Sequence, residues 1–135
     1  MSPSLFGDMG FQSAKIALDG LSVRQQAISN NLSNVDTPGY KARTVKFEDT
    51  LQRALGKSKQ KTNMNVTQEG HIKYPAKQVG IQQILREGGS ERADGNNVDI
   101  DTELIDMTEA GIRYQTISQL VSKKLVLLRT ISMSR

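Results

Sequence analysis

The chain has 135 residues, 18 Lys and Arg against 14 Asp and Glu, and a net charge of +4. That length admits one compact domain and not comfortably two, and an apolar fraction of 36% with 4% aromatics predicts a thin, aliphatic core. The charge excess is too mild for the dense basic face of a nucleic-acid binder. The lack of Cys excludes disulfides and thiolate metal sites, and no stretch approaches the roughly 20 apolar residues that span a bilayer.

The opening "MSPSLFGDMGFQSAK" has no basic run followed by an apolar one, so it does not read as a Sec signal. Residues 1–12 are polar and without period, and are expected to be flexible. Segment 13–40 reads as a helix and a turn. Ala14, Leu18, Leu21, Gln25, Ile28, Leu32 and Val35 follow one another in alternating steps of four and three, a heptad seam broken only at Gln25. The spacing predicts a helix from about Ser13 to Asp36, about 35 Å long. Gly20 inside it costs about 1 kcal/mol relative to Ala. "TPGY" then stops the helix. Pro38 removes a donor and pushes Thr37 out of helical backbone angles, and Pro38 and Gly39 occupy the central positions of a type II turn.

Asn30, Asn31, Ser33 and Asn34 lie off that seam. Amides donate and accept without carrying charge, whereas a solvent-facing helix would use better formers such as Glu and Lys. The amide-rich face therefore predicts contact with other polypeptide; the plainer alternative is that Asn frays the last turn.

Segment 41–97 has weaker patterns. "VKFEDTLQRAL" predicts a short helix through Phe47, Leu51 and Leu55. "GKSKQKTNMN" reads as a mobile polar loop, "HIKYPAKQVGIQQILREGG" as short strand-like or turn pieces, and "GGSERADGNN" as a linker. Segment 98–135 opens with Asp99 and Asp101, good residues for a helix start, and Glu103 adds charge to the first turn. Leu104, Met107, Gly111, Tyr114, Ser118, Val121, Leu125 and Leu128 again alternate steps of three and four, with Ile117, Leu120, Leu127 and Ile131 beside them. Acids lead and bases (Lys123, Lys124, Arg129, Arg135) follow, which complements the helix dipole. A helix of about 35 residues, about 50 Å, is allowed.

Two helices far longer than the usual 11 or 12 residues cannot wrap into a globule. The fold class is mainly α: long N- and C-terminal helices paired antiparallel as a coiled coil, with a small irregular, β-containing middle segment. "KKLVLLRTISM" is apolar around much of its circumference, and one partner helix covers only a stripe. Leaving such side chains in water forfeits about 1.5–3 kcal/mol each, which predicts self-association or docking with similar rods.

"ISNNLSNVDTPGYKA" (28–42) resembles the N-terminal motif shared by the axial proteins of the bacterial flagellum, the rod, hook and hook-associated proteins. "DGNNVDIDTELIDM" before a long terminal helix is similar to the proximal rod members of that family. The resemblance implies a structural subunit of the basal body, exported unfolded by the flagellar type III apparatus without a cleaved Sec signal. It would assemble in the periplasmic rod through its terminal helices. Implied partners are other rod subunits, further copies of itself, the flagellar export gate and the membrane ring complex. Subunit packing would fall to Leu18, Leu21, Ile28, Leu32, Val35, Leu104, Met107, Tyr114, Val121, Leu125 and Leu128. Asn30, Asn31, Asn34, Pro38 and Gly39 would form the contact turn.

Nothing points to chemistry. His71 is the only His, and with no Cys it matches no common zinc pattern. A calcium loop begun at Asp94 or Asp99 places Asp99 or Leu104 where Gly is required and Ile105 or Ala110 where Glu is required. Phosphate-cradling glycine motifs and nucleophile triads are absent. The basic stretch from Lys41 to Lys61 lacks the aromatic platforms of single-strand binders. No enzyme, cofactor, metal, small-molecule substrate or nucleic acid is expected. The alternative from another class is a soluble helical adaptor or chaperone-like binding module.

Overall fold

A computed structural model describes residues 9–56 and 80–133. The expected mobile loop from Gly56 onward (apart from Gly56 itself), His71, the first eight residues and Arg135 lie outside the described residues. Helix α1 spans Met9–Ser33, strand β1 Arg43–Lys46, helix α2 Glu48–Ala54, strand β2 Gln82–Leu85 and helix α3 Ile100–Met133. The chain is thus mainly helical, with a small antiparallel sheet in which Arg43 faces Leu85 and Lys46 faces Gln82.

The long helices run antiparallel. As the α1 partner falls from Asn31 to Gln25 to Phe11, its α3 partner rises from Glu103 to Gly111 to Lys124. Gln25, the polar break in the first seam, lies against Gly111, where the second seam has no side chain. The Lys124 ammonium sits 5.6 Å from the Phe11 ring centre, within the range of a cation–π contact.

Both helices end for local reasons. Asp99 caps α3, its carboxylate accepting from the backbone N–H groups of Asp101 (3.0 Å) and Thr102 (3.3 Å). Those bonds, the Thr102 N–H first, hold the Asp99 carboxyl below its ordinary value. Helix α1 finishes at Ser33, three residues before Asp36, because its last turn tightens: Asn34 and Val35 donate to the carbonyls of Asn31 and Leu32. The TPGY turn follows, with Gly39 at a φ of 70° and the Tyr40 N–H bonded to the Thr37 carbonyl at 3.2 Å.

The core is small. Leu21, Ala27, Val45, Phe47 and Ala110 form one buried cluster, with Val23, Leu51, Ile81 and Ile117 packed against it. Helix α1 is covered by α3 on one side and by the sheet and α2 on the other. Its buried arc is therefore wider than a heptad stripe and takes in Ser13, Ala17, Gly20 and Asn31.

Gly20 is not merely a weak point in the helix. The ring of Phe47 lies flat on it, and a Cβ added there would stand 2.4 Å from the ring. Arg24, one turn on, covers the same ring from 4.7 Å, donates to the Val45 carbonyl at 2.8 Å and pairs with Glu48. Gly20→Ala is expected to destabilise the chain by about 1–3 kcal/mol, against the gain of about 1 kcal/mol that helix propensity alone promises. Urea unfolding of Gly20→Ala in the native and Phe47→Leu backgrounds checks this: the loss should shrink when the ring is gone.

Candidate assembly interface

Two features of the surface and its supports stand out: a polar junction that ties the helix pair to the sheet, and an uncovered apolar face on α3. The junction is built on Asn31. Its Oδ1 accepts from the Arg43 N–H at 2.9 Å and its Nδ2 donates to the Arg43 carbonyl at 2.8 Å. The carboxamide therefore pairs with both backbone groups of one β1 residue, as a neighbouring strand would. The second Nδ2 hydrogen points to the Glu103 carboxylate, 3.1 and 3.2 Å from its two oxygens, and the Tyr40 hydroxyl donates to Asn31 Oδ1 at 3.3 Å. Arg86, just after β2, approaches Glu103 Oε1 at 2.8 Å and Asp106 at 3.4 Å. Asn31 and Glu103 are both 0% exposed.

Sequence reading did not bring these two residues together. Asn31 was expected to meet other polypeptide, yet its partners belong to its own chain. Glu103 does stand in the first turn of α3, as the sequence indicates, but its side chain faces inward onto Asn31 of α1. The linker reading of "GGSERADGNN" is likewise corrected. Asn96 is 0% exposed and its Nδ2 lies 2.9, 3.0 and 2.9 Å from the carbonyls of Asn34, Val35 and Thr37. Those carbonyls belong to the turn that follows α1, where Asn34 and Thr37 also accept from the N–H groups of Thr37 and Tyr40. Arg92 adds a bond to the Val35 carbonyl, and Asn97 accepts from the Ala42 N–H at 2.7 Å. The segment is a cap for the turn after α1, delivered from more than fifty residues away in sequence. The one available signal was that Asn, not Glu or Lys, stood at positions 31, 96 and 97.

Of the remaining contact-turn residues, Asn30, Pro38 and Gly39 are exposed and Asn34 is half-buried, its Nδ2 bonded back to the Asn30 carbonyl. The expected packing residues divide into two groups. Leu21 and Ile28 are buried inside the chain, while Leu18, Leu32, Val35, Met107, Val121 and Leu128 are half-buried. Leu104, Tyr114 and Leu125 point outward, at 51%, 39% and 42% exposure. The face of α3 that meets α1 is shifted by one position from the expected seam: it carries Glu103 and Ala110 as its buried residues. The outward face of α3 also presents Ile105, Ile112, Leu120, Val126, Leu127 and Met133, each more than half exposed. Contiguous exposed apolar side chains are a recurrent feature of protein–protein contact surfaces. Among the described residues no helix is long and apolar enough to cross a membrane, and no group of His, Cys, Asp and Glu is set to hold a metal ion.

Comparison with known proteins agrees with this architecture. A family model described as "Flagella basal body rod protein" matches residues 11–41, which is α1 and the turn after it. A flagellar basal body rod protein FlgB of Aeromonas hydrophila is 30% identical over 118 residues, covering 87% of this chain and 88% of the relative. The chain belongs to the FlgB family of flagellar basal body rod proteins. FlgB proteins of Borrelia hermsii (32% identical over 124 residues, 84% and 87% covered) and Bacillus subtilis (28% over 120 residues, 89% and 90% covered) are similar along the same length. The chain is accordingly a structural component of the flagellar basal body rod and not an enzyme.

Burial pushes the Glu103 carboxyl above its ordinary 4.5, outweighing the Asn31 bond and the Arg86 charge that favour the ionised form. A folded-state pKa above the unfolded one contributes stability that is full below 4.5 and is lost as pH rises through the folded value. The stability of the native chain relative to Glu103→Gln should therefore fall as pH rises from 4.5 toward neutrality, read from urea midpoints at each pH. A difference that grows with pH would show that Arg86 outweighs burial. Asn96→Ala, which removes a buried carboxamide and its bonds to the Asn34, Val35 and Thr37 carbonyls, should cost about 1–3 kcal/mol by the same measurement.

Proposed function

We propose that this chain builds the proximal part of the rod by packing its terminal helices against those of neighbouring subunits. The observation that carries the reading is the outward face of α3. Beyond Lys124, which meets Phe11 of α1, Leu125, Val126, Leu127 and Met133 are 42–72% exposed. Covering each fully is worth about 1.5–3 kcal/mol. A helix partner fits better than a membrane surface, because the polar residues of α3 from Gln115 on are Gln, Ser and Thr as well as Lys and Arg.

In this reading Leu104, Tyr114 and Leu125 meet neighbouring subunits. Leu18, Leu21, Ile28, Leu32, Val35, Met107, Val121 and Leu128 shape the helix pair that presents them. Asn30, Asn34, Pro38 and Gly39 lie at the exposed turn beside the α1 terminus, where a second contact would form. Partners are other rod subunits and further copies of the chain, with the export gate and membrane ring complex at its base. Passage through the flagellar type III apparatus to a periplasmic rod belongs to the same proposal, on the strength of kinship with rod proteins.

Leu125→Asp tests the packing. It should abolish motility and rod assembly while the variant is still secreted. Because Leu125 is 42% exposed in the single chain, the isolated variant should keep its stability within about 0.5 kcal/mol. Swimming at the native rate would overturn the reading.

A further inference from the structure

We propose that Asn31 and Glu103 form a register key, a single polar pair that allows α1 and α3 to associate only in the alignment that also seats the sheet. The apolar seam specifies that alignment poorly. Its contacts are small or aliphatic side chains repeating every seven residues, so α3 displaced by one heptad still lays apolar positions on apolar positions. The key does not repeat. The positions equivalent to Glu103 along α3 are Ala110, Ile117 and Lys124, and those equivalent to Asn31 along α1 are Arg24, Ala17 and Gly10.

Displaced by one heptad, Asn31 would face Ala110. One buried N–H of its carboxamide would lose its acceptor. An unsatisfied buried donor is among the costliest defects a core can carry, and Arg86, half-buried at 21% exposure, would lose the carboxylate 2.8 Å away as well. A buried Asn in a coiled-coil seam sets register by the same physics. Here the effect reaches further, because the rest of the Asn31 carboxamide is bound to the backbone of Arg43. The helix pair and the sheet therefore lock together: α1 holds its side chain in the rotamer that meets Glu103 only while β1 is docked. Asn31 and Glu103 are positioning residues for the surface that α3 presents.

The native chain contains no Cys, so paired Cys reporters read the register in the full-length protein. Gln25→Cys with Gly111→Cys reports the native alignment, since a Cβ at residue 111 falls 3.8 Å from the Gln25 side chain. Gln25→Cys with Ser118→Cys reports the alignment displaced by one heptad. With the key intact only the first pair should oxidise. In Asn31→Leu/Glu103→Leu, with helix content retained by circular dichroism, the ratio of native to displaced cross-link should fall at least tenfold. Moving the key, as Glu103→Ala/Ala110→Glu, should make the displaced pair the dominant product. The moved key decides the matter if the Leu variant loses helix. Exclusive 25–111 cross-linking in the moved-key chain, or in a helical Leu variant, overturns the proposal. Loss of displaced cross-linking would leave the rod reading untouched, since that reading stands on the outward face of α3.

Discussion

One carboxamide joins the three parts of this molecule. Asn31 stands on α1, pairs with both backbone groups of Arg43 on β1, and donates to Glu103 on α3. No other side chain satisfies all of these at once. Asp has the shape but no donor, and would set a second carboxylate against Glu103. Gln carries the right groups on a stem one methylene too long. An apolar residue leaves the Arg43 N–H and carbonyl without these partners at a partly buried strand edge, where an unmet polar group is costly. The requirement is strict because the apolar core around it is small: among the described residues it centres on Leu21, Ala27, Val45, Phe47 and Ala110, with Ala17, Ile28, Ala42 and Val98 also buried. A core of that size leaves the polar junction to decide how the parts are oriented.

Around that junction the chain uses Asn side chains as substitutes for backbone. Asn31 extends the edge of the sheet, Asn97 accepts from the Ala42 N–H, and Asn96 gathers three carbonyls of the turn that follows α1. A carboxamide carries the same donor and acceptor as a peptide unit, on a short stem with no charge to desolvate. A helix that ends against a sheet edge leaves scattered orphan groups, and Asn meets them singly where a strand or a cap motif does not fit. Close packing completes the junction on the other side, where Gly20 lets the Phe47 ring rest on the α1 backbone and Arg24 covers the ring.

The result is a two-sided α3. Its inner face is polar at the junction end, where Glu103 meets Asn31 and Arg86, and apolar further along at Ala110 and Ile117. Its outer face carries large apolar side chains from Leu104 to Met133. With its inner face held by these contacts, α3 presents its outer face in a fixed orientation.

Much of this was legible in the residues. Alternating steps of three and four marked both long helices, Asp99 and TPGY marked where one begins and the other stops, and the excess apolar surface on the C-terminal helix marked the need for a partner. These signals are local, because helix period, capping and turn chemistry are set within a few residues of one another. What local pattern could not show was which polar residues turn inward. Asn31 and Glu103 are 72 residues apart, and Asn96 lies about 60 from the carbonyls it caps. Gly20 reads as a defect until Phe47 is seen lying on it. The sequence by itself determined two long helices, a sharp turn and an unsatisfied apolar edge. Only the tertiary structure decided which face of α3 meets α1, since that choice rests on satisfying buried donors and charges whose partners come from distant parts of the chain.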